Sequence, residues 1–98
     1  MNCREVTRRL TRNRTKFRRF GVAHLSVFGS TARDQAGSHS DVDLLVEFDP
    51  QAPVGLFTFV ELLDLLGDIL GTRIDLATPG ALRPEMRDHI LEEAVRAF

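Results

Sequence analysis

Asp41 and Asp43 stand with one residue between them and lead into the most apolar run of the chain, Leu44-Leu45-Val46. Extended backbone alternates its side chains, so positions i and i+2 project from one face. Carboxylates held that close repel unless a cation or a proton lies between them. Magnesium takes hard oxygen ligands and is commonly held by one or two carboxylates together with substrate phosphates. Upstream, Gly29-Ser30 ends an alternating stretch and opens a helical turn with Thr31-Ala32-Arg33. Free backbone N–H groups and the Ser30 hydroxyl there could bind a phosphate. Glycine lets the backbone approach a ligand with no Cβ in the way. A third acid, Asp75, sits in a short run of its own, Arg73-Ile74-Asp75-Leu76-Ala77. If that run pairs beside the one carrying Asp41 and Asp43, all three acids share a face. Three carboxylates could then hold two cations roughly 3.5–4 Å apart, the arrangement that serves in-line displacement at phosphorus. Singly, each feature has a plain structural reading: acids often flank strands, a Gly-Ser turn is usually only a turn, and Asp75 could be an exposed acid or a partner for Arg73.

These residues need elements to hold them. Residues 4–20 read as a helix, with Val6, Leu10, Phe17 and Phe20 on one stripe that Asn13 interrupts, and Gly21 as its stop. Residues 23–28 alternate as a short strand, and Ser30 is the expected cap of the turn that follows. Residues 34–40 are loop by composition. Residues 41–48 form a second strand, with Val42, Leu44, Val46 and Phe48 on one face and Asp41, Asp43, Leu45 and Glu47 on the other. Residues 55–70 return to helical spacing through Leu56, Phe59, Leu63, Leu66 and Leu70, widened by Val60, Leu62 and Ile69, and Gly71 closes the helix. Residues 73–77 make a third strand, 78–80 a turn, and 84–97 a last helix with Leu82, Met86, Ile90 and Ala94 at four-residue steps. The fold class is α/β (α+β): a small mixed β-sheet flanked by helices.

Ninety-eight residues form a single domain, 1–98, with 43% hydrophobic and 28% charged residues. No apolar run approaches the roughly 20 residues of a membrane span, and the arginine-rich start lacks the apolar core of a signal peptide. Cys3 is the lone cysteine, so no intrachain disulfide forms; it reads as a plain thiol near the chain end, in a reducing cytoplasm. The net charge of −1 conceals a split: residues 1–20 hold eight basic groups against Glu5, and the remainder is acidic by eight. A solvated helix face explains this first, an acidic protein partner second and nucleic acid last. His39, just before Asp41, reads as an exposed loop residue that could touch a nucleotide. His24 and His89 read as packing or surface residues, Glu47 as a solvent-facing acid. The seven phenylalanines are spread through expected core positions rather than set as stacking platforms.

Taken together, Gly29-Ser30-Thr31-Ala32-Arg33, seven intervening residues and Asp41-Val42-Asp43-Leu44 resemble the G-S-x-A-R…D-x-D signature of the minimal nucleotidyltransferases, within the DNA polymerase beta superfamily. Arg73-Ile74-Asp75-Leu76 resembles the third acidic position of that family, and Leu82-Arg83-Pro84 through the last helix its C-terminal end. Asp34 stands where the pattern has glycine. The resemblance implies a nucleoside triphosphate, ATP above all, with its phosphates at Gly29 and Ser30. It implies magnesium, two ions, held by Asp41, Asp43 and Asp75, and Asp75 orienting the attacking hydroxyl. Arg33 would contact phosphates or brace the turn, bracing being preferred. Chains this short resemble the antitoxins of HEPN toxin–antitoxin pairs, which transfer AMP from ATP to a tyrosine of the toxin. The chain has no tyrosine and no evident acceptor domain, so the acceptor would be another protein. Two alternatives remain: an antitoxin that neutralises its partner by binding alone, and a catalytic subunit acting on a small molecule or an RNA end.

Overall fold

The computed structural model describes residues 1–35, 37 and 41–98. The reading of His39 as a nucleotide contact, and residues 36 and 38–40 of the expected 34–40 loop, therefore fall outside the described residues. The first helix, α1 (Cys3–Arg12), is capped by Asn2, whose side chain accepts the Glu5 N–H at 2.8 Å. Glu5 and Arg9 add an i,i+4 pair at 2.9 Å. The expected single helix over 4–20 is in fact broken at Asn13. The Asn13 side-chain amide bonds back to Arg9 O at 2.8 Å, competing with the helical ladder for that carbonyl. A short α2 (Arg14–Arg18) follows, which buries Phe17 and stacks it on Phe98 with ring centroids 6.1 Å apart.

Gly21, at φ +84°, turns the chain into β1 (Val22–Phe28). A four-residue helix α3 (Gly29–Ala32) comes next, then β2 (Val42–Phe48), α4 (Leu56–Leu70), β3 (Ile74–Ala77), a 3-10 turn at Pro79–Ala81, α5 (Pro84–Glu93) and β4 (Val95–Arg96). The sheet order is β3-β2-β1-β4. β1 runs antiparallel to β2 and β4; β2 and β3 are parallel, joined by the α4 crossover.

β4 corrects the sequence expectation of a helix over 84–97. Ala94 and Glu93 favour helix locally, but Ala94 leaves it at φ −62°, ψ 133°, and the chain pairs with β1. Ala97 N–H bonds Leu25 O at 2.8 Å, and Val95 stands opposite Val27. Long-range ladder bonds override local propensity here.

The core lies on one face of the sheet, where Val22, Leu25, Val27, Val42, Leu44 and Val46 meet Val6, Leu10, Phe17, Leu62, Leu66 and Leu70. The β2 alternation is as expected, which leaves Asp43 on the opposite face. On α4 the expected stripe is rotated. Leu62, Leu66 and Leu70 are buried, whereas Leu56 and Val60 are exposed and Phe57 is 84% exposed. A helix that is apolar nearly all round does not specify which face it buries. Met86 is likewise exposed while Ile90 is buried. Phe57 also departs from the expectation of seven core phenylalanines.

Candidate active site

β1 delivers Phe28 beside Asp43, and the parallel register places Asp43 beside Asp75. The end of β1, the start of β2 and the start of β3 thus line up in one row. Asp41 immediately precedes β2 and is exposed; Asp43 is half-buried and Asp75 exposed. Burial raises the Asp43 carboxyl above its ordinary range. The Asp75 charge beside it, a hydrogen bond with Asp75 and the Asp41 charge add to the shift, with Arg33 opposing them. Like charges brought together favour a proton or a cation between them.

Gly29 explains itself in this geometry. Its φ is +70°, and a Cβ built there would run into the Asp43 carboxylate. The residue before it, Phe28, is extended and serves as the α3 N-cap position, so Ser30 lies inside the first turn rather than capping it. The Gly29 N–H, expected from the sequence to face a phosphate, instead donates to Glu93 Oε1 at 2.9 Å. The N–H groups of Ser30 and Thr31 lie in the first turn of α3, where helical backbone has no intrahelical acceptor to offer. The motif's third residue, Thr31, is buried, and its hydroxyl has no partner among the described residues.

Arg33 acts on Asp43 through its charge, while its side-chain hydrogen bonds go to Glu93 and Gln35. Its Nη1 pairs with Glu93 Oε2 at 2.9 Å and its Nε donates to Gln35 at 3.3 Å. Glu93 was not singled out by the sequence, since it lies 64 residues from Gly29 and no local pattern marks it among the acids of its helix. Burial works against the charged Glu93 carboxylate, but the Gly29 N–H, Arg33 and His89 outweigh it and hold its carboxyl below the ordinary range. Asp34 takes φ +54°, a left-handed backbone that suits the glycine expected there, and accepts the Cys3 N–H at 3.1 Å. Cys3 is not a loose end residue: it is buried, and burial, then Asp34, pushes its thiol up. His24 contacts Arg96 and His89 lies 3.6 Å from Glu93. Glu47 is exposed. Arg4, Arg8 and Arg12 line one groove with Arg96.

Among the described residues, no three His, Cys, Asp or Glu side chains form a ready-made metal cage. The Asp43–Asp75 pair, flanked by Asp41, still suits a magnesium ion, because that ion needs only one or two carboxylates when phosphates complete its shell.

The nucleotidyltransferase domain family matches residues 9–97. The chain belongs to this family. Among its relatives is the protein adenylyltransferase MntA of Thermococcus cleftensis, 39% identical over 92 residues, which covers 93% of this chain and 91% of the relative. A solved structure described as a minimal nucleotidyltransferase superposes with a TM-score of 0.81 at 33% identity, covering 97% of this chain and 95% of the other. The MNT antitoxin fold seen with a tri-AMPylated Shewanella oneidensis HEPN toxin superposes with a TM-score of 0.56 at 15% identity, covering 88% and 69% of the two chains. This nucleotidyltransferase is thus an enzyme by family. No helix among its described residues is long and apolar enough to cross a membrane.

Proposed function

We propose that this nucleotidyltransferase transfers AMP from ATP to a hydroxyl, a tyrosine hydroxyl above all, of a cognate HEPN-type toxin, and so acts as its antitoxin in the cytoplasm, with residues 1–98 as one catalytic domain. The observation that carries the reading is Asp43 beside Asp75 in parallel register, directly across from the end of β1 that opens the Gly29 turn. The name of the Thermococcus cleftensis relative supports AMP as the transferred group.

Ser30, with the free N–H groups of the α3 turn, binds the triphosphate. Asp41, Asp43 and Asp75 would hold magnesium, two ions in the full complement. Magnesium when bound supplies charge stabilisation at the phosphoryl oxygens. Asp75, exposed at the edge strand, orients the acceptor hydroxyl and takes its proton as the oxygen bonds to the α-phosphorus. The α–β bridge then breaks and pyrophosphate leaves. The half-buried setting of Asp43 keeps solvent from its inner face, where electrostatic stabilisation is strongest.

The test is intact-mass analysis of the toxin after incubation with this chain, ATP and magnesium. A gain of one or more AMP groups is expected, lost with Asp43→Asn. Full transfer by that variant would sink the reading. Toxin that is inhibited without ATP and unmodified in mass would favour neutralisation by binding alone.

A further inference from the structure

One side chain ties the C-terminal end of α5 to the phosphate turn. Glu93 Oε1 accepts the Gly29 N–H at 2.9 Å, at the entry of α3, and Glu93 Oε2 pairs with Arg33 Nη1 at 2.9 Å, at its exit. The Glu93 side chain is only 15% exposed. A four-residue helix cannot hold its own shape, because a first turn fixes several dihedrals for one hydrogen bond. That bond, Arg33 N–H to Gly29 O, is 3.3 Å here. Both flanks of the turn are also in left-handed backbone, Gly29 at φ +70° and Asp34 at φ +54°. For the non-glycine Asp34 such a conformation persists where surrounding structure over-determines it. One residue after Glu93 the chain enters β4, which pairs with β1 at Val27 and Val95. The carboxylate is therefore anchored to the strand that delivers Gly29.

The structure assigns Glu93 as the positioning residue of the phosphate turn: its two oxygens fix Gly29 and Arg33 so that Ser30 and the first-turn N–H groups face the triphosphate. This rests on the proposed nucleotide site. Arg33 then acts as a brace, with Nη1 on Glu93 and Nε on Gln35. An ordinary surface ion pair contributes little, and would leave the turn indifferent to its loss. Glu93 differs in having a side chain only 15% exposed and in holding a backbone donor as well as a side chain.

Two measurements test this on the full chain. The first is steady-state transfer to the HEPN toxin, with kcat and KM for ATP separated. The second is hydrogen exchange of the 29–35 segment without nucleotide, which does not depend on activity. Glu93→Ala is expected to raise KM for ATP about tenfold, the scale of losing charge-assisted hydrogen bonds, and to change kcat less than about twofold. Exchange over 29–35 should quicken by about tenfold or more while β1 residues 22–27 stay protected. Glu93→Gln keeps an oxygen for the Gly29 N–H and should fall between. Arg33→Ala should add little on top of Glu93→Ala, because both act through one clamp. Unchanged exchange and KM in Glu93→Ala, or fully additive effects of the two substitutions, would overturn the assignment. Faster exchange in a protein whose wild type transfers no AMP would uphold the clamp and remove the transfer reading instead. If Glu93→Ala does not fold, Glu93→Gln and Arg33→Ala carry the same comparison.

Discussion

Two charge clusters flank the Gly29 turn, and they are built on opposite terms. Toward β2 and β3, Asp43 meets Asp75, like charge on like, and its carboxyl is pushed up by burial and by its acidic neighbours. Toward α5 and β4, Glu93 meets Arg33 and the Gly29 N–H, and both of its carboxylate oxygens find a partner. The same few residues of chain separate the two. A fold able to satisfy one cluster fully leaves the other uncompensated where stabilisation comes from what it binds. Perturbed carboxylates of this kind cluster at functional sites.

The sharpest way to break the contrast is Asp43→Asn. Transfer should fall by at least about 10²-fold, since several kcal/mol of charge stabilisation are lost. Thermal stability at neutral pH should rise by a few degrees, about 4–8 °C per kcal/mol in a domain this size. The sign follows from linkage. A carboxyl with a raised folded-state pKa stabilises only when protonated, below its ordinary 3.8, and that contribution is lost as pH rises through the higher folded value. The stability gain of Asp43→Asn, read by calorimetry, should therefore vanish near that acid limit. A neutral-pH loss of stability would mean the pair is not repulsive.

Gly29→Ala comes next. It meets both a left-handed φ and the Asp43 carboxylate, so a loss of about 1–3 kcal/mol is expected in denaturant titration, together with transfer. Gly71→Ala is the control: φ is +69° but nothing lies within 4 Å of a Cβ there. It should cost about 1–2 kcal/mol and leave KM for ATP unchanged.

A smaller effect separates the clusters by pH. Glu93 has a lowered folded pKa, so its contribution is present above its ordinary 4.5 and lost as pH falls through the lower folded value. Wild type should lose melting temperature more steeply than Glu93→Gln below that ordinary value, the reverse of the trend for Asp43. Smallest of all should be Arg33→Lys, which keeps the charge but loses the planar fork that spans Glu93 and Gln35. A change of at most about 1 kcal/mol is expected at so exposed a site.

Much of this was written along the chain. The period of two in Val42, Leu44 and Val46 set the buried face of β2 and with it the outward face of Asp43. Gly71 ended α4 in left-handed backbone, as glycine after an apolar stripe does. The Gly29-Ser30 and Asp41-Val42-Asp43 spacing marked the candidate site residues and pointed to the family. Residues 4–20 were less legible, because the Asn13 amide competes for Arg9 O in a way that composition does not announce.

The sequence by itself determined which residues of β1 and β2 face the core, and the types of group at the candidate site, because those follow from local periodicity and side-chain chemistry; that Leu45 is buried on the other face was not legible there. Tertiary structure alone decided that Asp75 stands beside Asp43, that residues 95–96 leave the last helix for β1, that α4 turns Leu56 and Phe57 outward, and that Glu93 holds the Gly29 turn. Each of these is a pairing between segments far apart in the chain. Register and helix rotation are chosen by the whole packed sheet, and no local pattern carries that information.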